Sequence, residues 1–265
     1  LPLVAWVCAL LALLAASFIH TSRSAALLAH QRAERAGAQA AADAGVAIAL
    51  LGVLGVAPDG TWPQDGRRMV RHFGRESVTI AVQDELGLID VNVATADTIA
   101  QLFRNVGTSR EASLAAARAI TLWRNGHRLS EVEQLAQVPG VPSDLVARVA
   151  PYLTTRTGTE AVDPVTAPSL VLASLPGLAA STVATLVITR AVATVLPGTL
   201  PLLNDVSLQG VPLHHYDRIR VDAQTGAGVL FRREVEVELH PDAAHAYHVL
   251  TWRQSAIPAG ADDGR

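Results

Sequence analysis

The chain opens on an unbroken apolar run. Leu1 to Ile19 (LPLVAWVCALLALLAASFI) contains no charged residue, and as a helix it would extend roughly 28 Å, close to the thickness of a bilayer's hydrocarbon core. Pro2 falls in the first turn, where its missing N–H costs little. From Thr21 to Leu54, Ala, Leu and Val recur at helical spacing among Arg, Gln and Glu, which predicts an amphipathic continuation. We therefore expect one helix from about Leu1 to Leu54, membrane-spanning over 1–19 and a stem over 20–57. A cleaved secretory signal would have a shorter apolar stretch and a break after it.

The pattern then changes period. Pro58-Asp59-Gly60 and Pro63 to Gly66 are turn residues that end the helix. Arg68–Phe73 and Glu76–Gln83 predict two strands around a Gly74-Arg75 hairpin, and strands return at Tyr216–Val221, Val229–Leu239 and Ala246–Arg253. Within Arg232–Glu238 charged residues alternate with Val, predicting a half-exposed strand. Between the strand sets, an Ala- and Leu-rich stretch predicts helices at Ala96–Val106, Arg110–Arg124, Ser130–Gln137, Ser143–Ala150, Ala167–Leu175 and Ala179–Ala193. Two blocks resemble each other, Gln137-Val138-Pro139-Gly140-Val141 and Ser174-Leu175-Pro176-Gly177-Leu178. Each lies between helices, so each is a helix-hairpin-helix candidate. Neither strand set is large enough to bury a face alone. The expectation is an α+β chain in which one small antiparallel sheet (58–93 and 209–265) is interrupted by an inserted helical domain (94–208).

Composition narrows the chemistry. Half of the 265 residues are hydrophobic and 17% are charged, which excludes a disordered chain. All 21 basic residues are arginine, so no lysine-dependent phosphate loop, Schiff base or general base exists. The net charge of −3 gives no overall pull toward nucleic acid. Cys8, the single cysteine, excludes an internal disulfide; without a run of small residues before it, we read it as an apolar membrane residue, not a lipidation site. Arg23, Arg32 and Arg35 follow the anchor and would face the cytoplasm unless basic residues precede Leu1.

An anchor helix running into an amphipathic stem and then a small sheet resembles the type IV pilins and pseudopilins. Inner segments sharpen this. Asp84-Glu85-Leu86-Gly87-Leu88-Ile89-Asp90-Val91-Asn92 resembles the D-E-x-G-x-I-D-[LV]-N segment of the minor pseudopilin K family of type II secretion systems. In the same order follow Ala119-Ile120 to Trp123-Arg124, Leu129 to Leu135, Val138-Pro139-Gly140, Pro151 to Thr154, and Thr166-Ala167-Pro168 with Leu172 to Leu178. The matches end near Leu178, and the loop after Trp123 is shorter than the family's. The resemblance implies a pilin-like fold and a non-enzymatic subunit at the tip of a pseudopilus. It would initiate or cap assembly for export of folded proteins across the outer membrane. Implied partners are the minor pseudopilins I and J, the inner membrane, and a prepilin peptidase as processing enzyme, with the bulk of the chain in the periplasm. The first acidic residue is Glu34, so the glutamate that major pilins carry near their mature start is lacking, as in the K family. We expect that start a few residues before Leu1.

Catalytic motifs are wanting: there is no G-x-S-x-G, H-E-x-x-H or G-x-G-x-x-G. His240, His245 and His248 straddle Pro241 and read as solvent-exposed, while the adjacent His214 and His215 would point to opposite strand faces. The best acidic group is Asp84, Glu85 and Asp90 with Asn92, which could offer oxygens to calcium. The competing reading places Asp84-Glu85 in a turn and has Asp90 and Asn92 cap or brace the helix that follows. With no second acidic loop to complete the ligands, we expect that outcome, and no cofactor. The hairpin blocks raise an alternative, a membrane-tethered DNA receptor resembling the competence proteins. Against it, residues 84–210 hold eleven acidic residues and eight arginines, so no nucleic-acid partner is expected.

Overall fold

The computed structural model describes residues 2–57, 62–195, 215–240 and 246–255. The turn expected at Pro58-Asp59-Gly60, the far end of the expected helical region, His214, His245 and the C-terminal tail lie outside them, as does the Cys8 side chain. Helix α1, Pro2–Val53, runs for 52 residues without interruption, about 78 Å at 1.5 Å per residue. Its two halves live in different surroundings. Leu3, Trp6, Leu10 and Leu13 stand exposed, whereas Ala38, Ala41, Ala42, Val46, Ala49 and Leu50 are buried against the sheet. Small residues set that approach. A Cβ on Gly45 would fall 2.7 Å from Val221 and 3.0 Å from Val78.

The strands are β1 (Asp65–Phe73), β2 (Glu76–Asp84), β3 (Ile89–Asp90), β4 (Leu153–Thr154), β5 (His215–Gln224), β6 (Leu230–Leu239) and β7 (Tyr247–Ser255). Five of them form one antiparallel sheet in the order β1-β2-β5-β6-β7. The β1–β2 hairpin turns at Gly74, whose φ of +62° suits glycine. β2 pairs directly with β5 across more than a hundred intervening residues. One sheet therefore spans both ends of the chain, with helices between. β3 and β4 pair in parallel as a separate two-residue ladder that no periodicity could announce.

The helices between are α2 (Ala96–Asn105), α3 (Arg110–Arg124), α4 (Ser143–Val149), α5 (Ser169–Leu172) and α6 (Ala180–Val195). Thr95 and Ser109 cap α2 and α3, each side chain accepting an N–H from the first turn. Three expected helices are shorter or tighter. Val132–Gln137 is a 3-10 turn, Pro151 converts the end of α4 into another, and α5 fills only the middle of Ala167–Leu175. Gly140 and Gly177, at the centre of the two similar blocks, have φ of +84° and +82°, so both blocks make the same left-handed turn. Ile99, Leu102, Phe103, Ile120, Leu135, Leu145 and Leu172 form the core of this block, separate from the core beneath α1.

β6 corrects one expectation. Its charged face is covered, not half-exposed: Arg232 and Glu236 are buried. The reason is tertiary. The helical block lies against that face, and Arg156 from the block reaches Glu236 at 2.9 Å. On the opposite face, toward α1, Arg233 is also buried and pairs with Asp43 at 2.7 Å.

Candidate functional site

Residues 84–92, where the chain leaves the sheet for the helical block, were the candidates for a cation, and the structure gives each polar member a protein partner. Asp84 caps the 3-10 turn Glu85–Gly87, accepting the Leu86 N–H at 2.8 Å. Glu85 is buried and receives the Arg218 guanidinium at 2.9 Å, with the Thr154 hydroxyl on its other oxygen. Asp90 accepts the Asn92 N–H at 2.8 Å and the Gly158 N–H at 2.6 Å. Asn92 clasps Leu129, accepting its N–H and donating to its carbonyl, both at 2.9 Å. Gly87 is needed for closeness, since a Cβ there would lie 2.7 Å from the Thr166 backbone. Among the described residues, no group of three or more His, Cys, Asp or Glu is arranged to hold a metal ion. The segment works as a joint whose polar groups brace the two cores against each other.

Residues from distant parts of the chain complete this joint. Arg218 of β5 also donates to the Leu153 carbonyl at 3.2 Å. Arg124 anchors α3 through the Val91 and Ala94 carbonyls at 2.8 and 2.7 Å. Gln83 donates to the Thr166 carbonyl at 3.0 Å, and the Asp163 N–H to the Leu86 carbonyl at 2.8 Å. Asp217 stands directly across β2–β5 from Asp84 and accepts from Gln64 at 2.9 Å. Burial pushes Asp84 up to about 6, helped by the charge of Asp163. It pushes Asp217 up to about 7, with Asp84 as the next cause. Only the ordered motif letters could have flagged this region; the partners come from distant parts of the chain.

A second feature is a surface. The face of the sheet under α1 continues past the helix onto β7. Leu239, Val237 and Val235 of β6 are buried beneath α1, and their β7 partners Tyr247, Val249 and Trp252 are 40%, 44% and 47% exposed. A five-stranded sheet is about 20 Å wide between its outer strands and a helix about 10 Å, so one helix cannot cover it. Of the other sequence candidates, His240 and His248 meet edge to face, their ring centroids 5.3 Å apart, and His215 begins β5.

A single long helix, apolar in its first half, where Leu3, Trp6, Leu10 and Leu13 are exposed, and seated on an antiparallel sheet in its second, makes this an α+β protein of pilin-like architecture with helices inserted between two neighbouring strands. No protein-family profile matches the chain, and no curated protein matches it. Among solved structures, it resembles a chain of the GspK-GspI-GspJ complex from the enterotoxigenic Escherichia coli Type 2 Secretion System. The TM-score is 0.54 and the identity 11%, over 86% of this chain and 99% of that one. At that identity the likeness is one of fold, and the fold is the one that the motif order implied. Among the described residues, the stretch of α1 long and apolar enough to cross a membrane is Ala25–Val53, which is also the part packed on the sheet, so its apolar character also serves the core of the protein.

Proposed function

We propose that this chain is a minor pseudopilin that acts at the tip of a type II secretion pseudopilus, where it helps initiate and cap assembly for the export of folded proteins. The observation that carries this reading is the fold shared with a chain of the GspK-GspI-GspJ complex, joined to an exposed apolar half-helix. The apolar half of α1 would anchor it as a single pass in the inner membrane, with sheet and helical block in the periplasm and a prepilin peptidase processing its start. Its partners would be the minor pseudopilins I and J. The flank formed by Tyr247, Val249 and Trp252 beside α1 supports this, because a partner's stem helix laid there would finish covering the sheet. The work is done by association of apolar surfaces, not by bond chemistry. The helical block would obstruct addition of a further subunit above it.

The test is genetic and direct. Excising 94–208 in frame, with a short linker joining β2 to β5, should leave membrane insertion intact and alter pseudopilus initiation or length. Unchanged assembly would sink the capping role. Salt-sensitive binding of DNA by the full chain would instead favour the receptor alternative.

A further inference from the structure

Asp84 and Asp217 make an unusual pair. They face each other across the β2–β5 ladder, both are buried, and the arginine at hand, Arg218, is taken by Glu85. One oxygen of Asp217, Oδ1, is buried with no hydrogen-bond partner in the structure. Two buried carboxylates on directly paired residues repel one another and are costly to keep charged without a cation or a proton. The surrounding groups do not supply the balance. Asp163 and Glu85 add negative charge from the loop before α5 and from the 3-10 turn, Gln64 offers one amide to Asp217, and His215 faces Asp84 from the head of β5. Asp84, Asp163 and His215 also line a pocket of about 160 Å³ with Leu86 and Val162, so water can reach the edge of the pair.

We propose that Asp84 and Asp217 hold at least one proton between them up to near-neutral pH and that its loss loosens the joint between the sheet and the helical block. A proton on Asp217 would discharge its buried, unpartnered Oδ1. Without it, two facing anions repel at the point where Asp84 caps the turn and Gln83, Leu86 and Asp163 tie block to sheet. The sign follows from the directions. Both folded-state values lie above the ordinary 3.8, at about 6 and about 7. The stabilisation is therefore whole below about pH 4 and is lost as pH rises through 6 and 7. Asp65 and Glu234 are shifted downward, so their contributions fade only in acid and do not obscure this window. The inference stands apart from the pseudopilin reading, since it concerns how the two cores are joined.

The experiment is hydrogen exchange on the full chain in detergent micelles at about pH 6 and about pH 8, corrected for the intrinsic pH dependence of exchange. Peptides covering 84–92 and 159–167 should lose protection severalfold at the higher pH, while α2 and α3 should not. Asp217→Asn, whose amide can give Asp84 a permanent donor, should abolish the difference. Should that variant not fold, infrared spectroscopy of the wild type keeps the idea exposed: a protonated-carboxyl band present near pH 6 should vanish by pH 8. Equal protection at both pH values, or absence of that band, overturns the proposal. So does calcium, added alone, cancelling the pH dependence, for then a cation and not a proton balances the pair.

Discussion

Glu85 is 1% exposed and carries its ion pair into the joint, where Arg218 is the group that answers it. Replacing one member of such a pair leaves the other charged, buried and alone, which costs about 3–5 kcal/mol. Arg218→Ala should therefore lower stability by about that much in urea unfolding. The double change Glu85→Gln with Arg218→Met should recover much of the loss, because neither charge remains. Asp90 differs in kind. It serves as an acceptor for two backbone N–H groups, and Asp90→Ala should cost about 1–3 kcal/mol for the donors left unpaired. The turn at Asp84 was legible in the sequence, since Asp at the start of a turn brings its own acceptor. Asp90 and Asn92 were expected on the helix that follows, but Thr95 caps that helix, and the two instead brace the Gly158 and Leu129 segments. The Glu85–Arg218 pair was not legible, because its members are 133 residues apart and nothing local to either specifies the other.

At the scale of elements, the spacing of small residues on α1 governs how the helix seats. Gly45 in a helix interior is unfavourable by about 1 kcal/mol relative to alanine. A methyl there would nevertheless lie 2.7 Å from Val221 and 3.0 Å from Val78, and crowding a packed contact costs about 1–3 kcal/mol. The crowding wins, so Gly45→Ala should lower the unfolding midpoint, although propensity alone says the reverse. The helix itself, the β1–β2 hairpin and α3 were readable from period and punctuation, with α3 at Arg110–Arg124 as its pattern indicates. β6 was readable as a strand but not in its surroundings. Alternation of Val with Arg and Glu reports two faces, and it took the helical block to bury the charged one, with Arg156 on Glu236 and Arg253 bridging Glu236 and Glu131. The two-residue strands β3 and β4 exist only because the joint brings Ile89 beside Leu153.

For the whole molecule, the question is how a chain with two separate cores and one long helix meets its neighbours. The pairing of β2 with β5 makes the sheet a single body, so a helix laid on the β7 flank would be held rigidly relative to α1. Trp252 is the probe of choice. It is half exposed, it faces the α1 side opposite Val235, and the Arg233 guanidinium sits 5.3 Å from its ring centroid, which keeps the indole in place for contact. Central aromatic residues carry about 2–4 kcal/mol of a protein interface when truncated, whereas exposed positions contribute little to folding. Trp252→Glu should thus weaken co-purification with coexpressed minor pseudopilins I and J at least about tenfold, leaving the thermal unfolding midpoint of the isolated chain nearly unchanged. A control separates docking from anchoring. Leu10→Arg, in the exposed apolar half of α1, should cost about 3 kcal/mol of membrane insertion and shift the chain toward the soluble fraction, a change that Trp252→Glu should not produce. Undiminished co-purification of Trp252→Glu would count against the β7 flank as the proposed interface, and retention of the Leu10→Arg chain in the membrane fraction would count against the proposed anchor.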